Sequence, residues 1–182
     1  GEIGEIILVL SEENIAKNGA LFGYDKIKLA AGGKTRMESL KNGFAMLSPG
    51  CEVVAVHDGA RPFVSQEVIL KCVASARENG AAVPVVPLKD TVKEVDPESM
   101  KVLRTVERST HYAVQTPQCY KKEVLEKLLS SECAGEDLTD ESQALEKLGI
   151  PVAAVMGDYR NVKITTEEDL LLAEAVYEKK FG

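Results

Sequence analysis

Short apolar runs alternate along this chain with longer stretches in which apolar positions recur every three or four residues. That alternation predicts strands and helices in turn. Ile6-Ile7-Leu8-Val9-Leu10 predicts a buried strand, and Ser11 with Glu12 and Glu13 behind it predicts a helix start with acids in its first turn. Lys26-Ile27-Lys28-Leu29-Ala30 alternates as an edge-like strand and is broken by Gly32-Gly33. Thr35-Arg36-Met37-Glu38 then has the form of a capping box opening a helix with Leu40, Phe44 and Leu47 inward. Val53-Val54-Ala55-Val56 shows no alternation, which suits a strand covered on both faces as in a parallel sheet with helices above and below. Ser65 predicts the cap of a helix through about Glu78, with Val68, Ile69, Cys72 and Val73 on its buried face. Ala81 to Pro87 is apolar throughout, and its prolines predict an irregular or locally unpaired strand.

From Val92 to Val106 two valine-rich segments flank Asp96-Pro97-Glu98-Ser99, a turn by composition, so a two-stranded arm is predicted over about 88–110. A hairpin is marginal alone, and this one either packs on a partner subunit or lies flat on its own domain. Tyr112 to Gln118 reads as a strand running into a polar turn, followed by a helix with Val124, Leu125, Leu128 and Leu129 inward. Thr139 with Asp140 and Glu141 begins a helix ending at Gly149, and Pro151 to Met156 makes a strand. Asn161-Val162-Lys163-Ile164 predicts a short strand, and Thr165 through Glu168 a capping box for a terminal helix bearing Leu170, Leu171, Leu172, Ala175 and Val176. Without a repeat or linker, this order predicts one α/β domain over 1–182 with a mostly parallel sheet and one antiparallel insertion.

Composition narrows the function. A chain of 182 residues, 45% hydrophobic and 28% charged, has room for a full core in one domain. A formal net charge of −7 argues against a general nucleic-acid binder but leaves room for a local basic pocket taking a phosphorylated small molecule. Cys51, Cys72, Cys119 and Cys133 lack CxxC spacing and read as free thiols of a reducing compartment, which points to the cytoplasm. No apolar run has the length of a membrane span, and no leader pattern precedes the first strand. His57 and His111 have no Cys or Glu at ligand spacing, so zinc has little support, and His57 reads as a turn or packing residue.

Polar residues gather where predicted strands end, the place where open α/β sheets bind ligands. Asp58 follows the Val53–Val56 run; it can hold a magnesium ion, which needs only one or two carboxylates besides the phosphates it bridges, or it can cap its turn. Gly59 would let a ligand approach the backbone. Gly32-Gly33 before a helix start forms either an anion or base cradle or a structural turn; Gly33-Lys34-Thr35 is no Walker loop, since Lys28 stands where that motif needs glycine. Asp90-Thr91 and Thr116 join the same kind of edge, and Lys163 is either a phosphate contact or a solvated lysine.

Taken in order, Ala31-Gly32-Gly33-Lys34-Thr35-Arg36-Met37-Glu38-Ser39, His57 to Phe63, Asp90-Thr91, Val114 to Gln118, Leu138 to Glu141 and Asn161 to Thr165 resemble the 2-C-methyl-D-erythritol 4-phosphate cytidylyltransferase family over nearly the whole chain. The resemblance implies a Rossmann-like nucleotidyltransferase fold and a magnesium-dependent reaction. In it, CTP and a sugar-alcohol phosphate give a CDP-alcohol and pyrophosphate, with methylerythritol phosphate as the acceptor in non-mevalonate isoprenoid synthesis. It also implies that Gly32, Gly33 and Ser39 meet the cytosine, and that Asp58 and Gly59 lie on the nucleotide and metal side. Thr91 and Arg108 would hold the acceptor phosphate, with Arg108 contributed across a homodimer interface formed by the arm. Thr116, Thr139 and Lys163 would line the reacting centre, Lys163 neutralising charge on the α-phosphate. Arg61 supports that site or anchors its turn.

The family opens with a strand, a loop of the form LAAGxGxRMG that wraps the triphosphate, and a Pro-Lys pair. These are not among the 182 residues, so the resemblance leads us to expect no turnover of CTP from these residues alone. Ribitol 5-phosphate is an alternative acceptor, and a non-catalytic dimerisation or ligand-binding module of the same fold is an alternative of another class. Asp58, Arg108 and Lys163 together favour the enzyme. An oxidoreductase fits poorly, because no GxGxxG follows a strand.

Overall fold

The structure is a computed structural model that describes residues 3–132 and 140–181. Nine strands and six helices follow one another among these residues: β1 (Ile6–Leu10), α1 (Glu12–Asn18), β2 (Ile27–Ala31), α2 (Arg36–Ala45), β3 (Val53–Val56), α3 (Gln66–Asn79), β4 (Ala81–Pro87), β5 (Lys93–Val95), β6 (Val102–Thr105), β7 (Tyr112–Val114), β8 (Gln118–Lys121), α4 (Lys122–Leu129), α5 (Glu141–Lys147), β9 (Ala153–Met156) and α6 (Glu167–Phe181). They form two compact units, residues 1–54 with 121–150 and residues 55–120 with 151–182.

In the first unit β1 and β2 run parallel, Ile6 opposite Ile27 through Leu10 opposite Ala31, and α2 packs on both. The expected caps form: the Ser11 hydroxyl accepts from the Asn14 amide at 3.2 Å and the Thr35 hydroxyl from the Glu38 amide at 3.0 Å. The return half of the Thr35 box differs, since the Glu38 carboxylate takes the Lys34 amide at 2.6 Å. α2 stops at Ala45, which leaves Leu47 outside it. α4 and α5 supply the fully buried Leu125, Leu128 and Leu145, each contributing about 1.5–3 kcal/mol of apolar burial. α5 is capped by Asp140, whose carboxylate accepts from the Gln143 amide at 2.9 Å.

One ion pair in this unit ties the edge strand to the loop after α2. Lys28 Nζ donates to Glu5 Oε2 at 2.6 Å, and the Ser48 amide donates to Glu5 Oε1 at 2.7 Å. The Lys28 bond, followed by those from Ser48, holds the Glu5 carboxyl down at about 2 from its ordinary 4.5. A depressed carboxyl stabilises the fold fully above its unfolded value, and that contribution is lost as pH falls from about 4.5 towards about 2. Lys28→Met should therefore be less stable than the parent at pH 6 and nearly equal to it at pH 2 in urea melts; a stability gap that does not shrink in acid would refute the coupling.

In the second unit the strand order is β3-β8-β4-β7, with β9 also on β4. Pairing around β4 is mixed: β9 is parallel to it, Val83 opposite Ala154, while β7 and β8 are antiparallel, Val86 opposite Ala113 and Ala82 opposite Cys119. α3, capped by the Ser65 hydroxyl on the Val68 amide, packs on β4 and β9. Val68, Cys72, Ala76, Ala81, Ala82, Val83, Cys119 and Tyr120 make the core. Cys51, Cys72 and Cys119 are free thiols, as expected, and Cys133 lies outside the described residues.

Several expectations change here. The buried strand expected at Val53–Val56 is only half-buried, with Ala55 exposed, because β3 stands at the end of the strand order. The strand expected from Tyr112 to Gln118 breaks at a cis Thr116-Pro117 bond into β7 and β8. Asn161 to Ile164 is extended but not a strand; its tie to a neighbour is the Ile164 amide on the Ala60 carbonyl at 2.8 Å. The last helix starts one residue later than its predicted box, with Asp169 Oδ2 accepting from the Thr165 and Thr166 amides. Leu170, Leu171 and Leu172 are all exposed while Ala173 is buried.

A two-stranded hairpin stands within the segment expected to form the arm. β5 and β6 pair antiparallel, Lys93 opposite Thr105, and Asp96 organises the turn by accepting from the Ser99 amide at 2.7 Å. Val95, Met100, Val102 and Leu103 are exposed on it.

Candidate active site

Three segments of the second unit meet at one place: the turn after β3, the turn between β7 and β8, and the segment after β9. The turn after β3 closes on itself, the Arg61 amide donating to the Asp58 carbonyl at 3.0 Å. Its Asp58 carboxylate points to Lys163, whose Nζ lies 3.1 Å from Oδ2, and Arg61 Nε stands 3.5 Å from the same oxygen. Asp58 and Arg61 keep only 13% of their side-chain surface, whereas Lys163 keeps 46%. The buried pair is thus the fixed part and the lysine the part open to a ligand.

Arg61 is held from behind, Nη1 donating to the Asn161 carbonyl at 2.8 Å, which ties its own turn to the lysine segment. Asn161 is fully buried and its Nδ2 donates to the Thr116 carbonyl at 2.8 Å. Gln115 completes the frame: its Nε2 donates to the Asp158 carbonyl at 2.9 Å and its Oε1 accepts from the Asp158 amide at 3.2 Å. A Cβ on Gly157 would fall 2.5 Å from that Oε1, so only glycine leaves room for the amide.

The Thr116 hydroxyl, expected at the reacting centre, accepts from the Asp58 amide at 3.1 Å and meets His57 Nδ1 at 2.9 Å. His57 Nε2 lies 3.1 Å from the Arg61 carbonyl. Partial desolvation lowers the His57 pKa, against the bond to Arg61 and the charge of Asp58. Gly59 is exposed and open, with nothing within 4 Å of where a Cβ would stand.

The arm base holds the acceptor candidates. Arg108 donates from Nη1 to the Lys89 carbonyl, Lys89 Nζ sits 3.8 Å above the Tyr159 ring, and Thr91 is exposed. In the first unit Ser39 Oγ accepts from the Gly33 amide at 3.0 Å and donates to the Thr35 carbonyl at 3.0 Å. A Cβ on Gly33 would come within 2.3 Å of Glu38 Cβ, so the turn requires glycine for closeness. Gly32 lies beside it, its would-be Cβ 3.4 Å from Ser39 Oγ. Thr139 lies outside the described residues.

Among the described residues no three His, Cys, Asp or Glu gather into a metal cage. Asp58 offers a hard carboxylate oxygen of the kind magnesium takes together with waters and phosphate oxygens, and its pairing with Lys163 and Arg61 would have to loosen for a metal to bind there.

His57 is the turn residue it was expected to be, while sequence reasoning missed Gln115 and Asn161 as a frame and missed the pair between Arg36 and Glu141. There Arg36 Nε donates to Glu141 Oε1 at 3.0 Å and Nη2 to Oε2 at 2.9 Å, with the carboxylate 2% exposed. Their separation of 105 residues leaves no periodic signal; only the shared fragments GGKTRMES and LTDE could have suggested it.

An acid between two cations at the strand ends of an α/β sheet suits a phosphate-handling site, and the nucleotidyltransferase class itself follows from likeness to known proteins. The family model for 2-C-methyl-D-erythritol 4-phosphate cytidylyltransferase matches residues 1–179. The curated 2-C-methyl-D-erythritol 4-phosphate cytidylyltransferase of Alkaliphilus metalliredigens is 42% identical over 98% of this chain and 76% of its own length. That of Dehalococcoides mccartyi is 41% identical over 98% of this chain and 78% of its own. The crystal structure of 4-diphosphocytidyl-2C-methyl-D-erythritol synthase from Anaerococcus prevotii superposes with a TM-score of 0.85 at 38% identity, covering 97% of this chain and 80% of that one. The chain belongs to the 2-C-methyl-D-erythritol 4-phosphate cytidylyltransferase family.

Proposed function

We propose that the protein transfers the cytidylyl group of CTP to the phosphate of 2-C-methyl-D-erythritol 4-phosphate, at the centre marked by Asp58 and Lys163. An acceptor phosphate oxygen attacks the α-phosphorus, the α–β anhydride bond breaks, and pyrophosphate leaves. The observation that supports this reading is the Lys163–Asp58–Arg61 constellation, a largely buried carboxylate paired with a largely buried arginine and a more exposed lysine. Lys163, the exposed member, neutralises charge on the α-phosphate as the new bond forms. Asp58 would hold magnesium, which supplies charge neutralisation to the phosphates when bound. Gly32, Gly33 and Ser39 take the cytosine, their turn being tightly folded and open to no bulky substituent at Gly33. Gly59 leaves room for the nucleotide.

Thr91 and Arg108 hold the acceptor phosphate. The exposed Val95, Met100, Val102 and Leu103 support a homodimer through the arm, with Arg108 serving the neighbouring site. No helix among the described residues is long and apolar enough to cross a membrane, and together with the free thiols this supports a cytoplasmic enzyme.

Pyrophosphate release by the full gene product, with CTP and magnesium, should be far faster with methylerythritol phosphate than with ribitol 5-phosphate. The reverse preference would overturn the acceptor. Arg108→Ala should raise the KM for the acceptor about tenfold and leave that for CTP unchanged, as expected when one charge-assisted contact to a phosphate is lost.

A further inference from the structure

We propose that His57 is a positioning residue for this reaction: its exposed ring, bonded through one nitrogen to the Thr116 hydroxyl and through the other to the Arg61 carbonyl, fixes the turn that presents Asp58. The direction of each bond follows from what each group can do. The Arg61 carbonyl only accepts, so His57 Nε2 carries the proton and Nδ1 of the neutral ring is an acceptor. Thr116 Oγ1 already accepts from the Asp58 amide, so its own proton goes to His57 Nδ1. The result is a closed circuit: Asp58 amide to Thr116 hydroxyl, Thr116 hydroxyl to imidazole, imidazole to Arg61 carbonyl. The last link returns to the turn that began it, since the Arg61 amide bonds the Asp58 carbonyl.

The circuit has a consequence for Thr116. Its one donor is spent on His57 and one lone pair on Asp58, so it acts as a strut under the Asp58 backbone and has no proton left to give a substrate. Thr116 is 5% exposed, in keeping with that role. His57 therefore sets the position of the Asp58 carboxylate, and through Asp58 that of Lys163 Nζ at 3.1 Å, without touching the reacting atoms. Small displacements matter in such a site, because charge must stand where it develops in the transition state.

The inference rests on the reaction centre proposed above, and the test separates the two. In the full gene product His57→Phe keeps the shape of the ring and removes both bonds. It should lower kcat about 10–100-fold, the usual effect of losing a partner that orients a functional group, with KM for CTP within threefold of the parent. His57→Asn places an amide oxygen near the former Nδ1 and accepts again from Thr116 without reaching the Arg61 carbonyl, so it should recover only part of the kcat lost in His57→Phe. Thr116→Val should match His57→Phe, and the double variant should be no slower than either alone, because both break one circuit. Thermal midpoints measured alongside refer each rate to folded protein. Parental kcat in His57→Phe, equal losses in His57→Asn and His57→Phe, or multiplying losses in the double variant would each overturn the inference. Asp58→Asn is the separating control: if it retains full turnover, the reaction centre itself is misplaced; if it is inactive while His57→Phe is unimpaired, only the role of His57 falls.

Discussion

Lys163→Met is expected to lower kcat by about 10²–10³-fold with little change in thermal stability, the loss that follows removal of one preorganised transition-state donor. Lys163 is the exposed cation of the constellation, so the fold gains little from it, while Asp58 keeps Arg61 as its buried partner when the lysine is gone. The methionine preserves the length and packing of the stem. Steady-state pyrophosphate release with CTP, magnesium and methylerythritol phosphate checks the rate, and a thermal melt checks the fold. Turnover within threefold of the parent would remove Lys163 from the chemistry. A large fall in melting temperature would instead show that its bond to Asp58 is structural.

The largest stability effect is expected at Arg36. Its bidentate bonds to Glu141 join the first turns of α2 and α5, and Arg36→Met would strand a carboxylate that is 2% exposed. Breaking a fully buried pair costs about 3–5 kcal/mol, and because Arg36 is 43% exposed some of that is recovered by water, leaving roughly 2–3 kcal/mol. For a chain of this size that corresponds to a drop of roughly 5–10 °C in Tm. Arg36→Met combined with Glu141→Leu should regain part of the loss, since an apolar pair of similar volume carries no desolvation cost. A single variant within about 0.5 kcal/mol of the parent in urea melts would show the pair to be inert.

What the sequence made legible was local. The hydroxyl caps at Ser11, Thr35 and Ser65 formed as expected, because each depends on neighbours within four residues, and Ala81–Pro87 formed a strand; Ile6–Leu10 is a strand too, but not the buried one expected, since Ile6 is exposed and the rest only partly covered. The site was legible only in its charges: Asp58 and Lys163 do meet, although the strand expected under Lys163 is absent. Backbone held by side chains carries no ladder pattern, and Asn161 and Gln115 supply that hold from positions that look like ordinary polar loop residues. His57 was read as a turn or packing residue for the same reason. Its bonds to Thr116, 59 residues away, and to a backbone carbonyl depend on fold geometry that no spacing encodes.

The arm has one more consequence, for the time scale on which its backbone meets solvent. Its short strands carry Val95, Val102 and Leu103 outward, so opening the β5–β6 ladder uncovers almost no apolar surface that was not already wet. Local opening there is set by a few hydrogen bonds and is cheap compared with unfolding around β4, where Ala81 and Ala82 are fully buried. The rate at which deuterium replaces the amide hydrogens of residues 93–95 and 102–105 therefore reads the grip of whatever covers the arm, and hardly at all the stability of the chain that carries it.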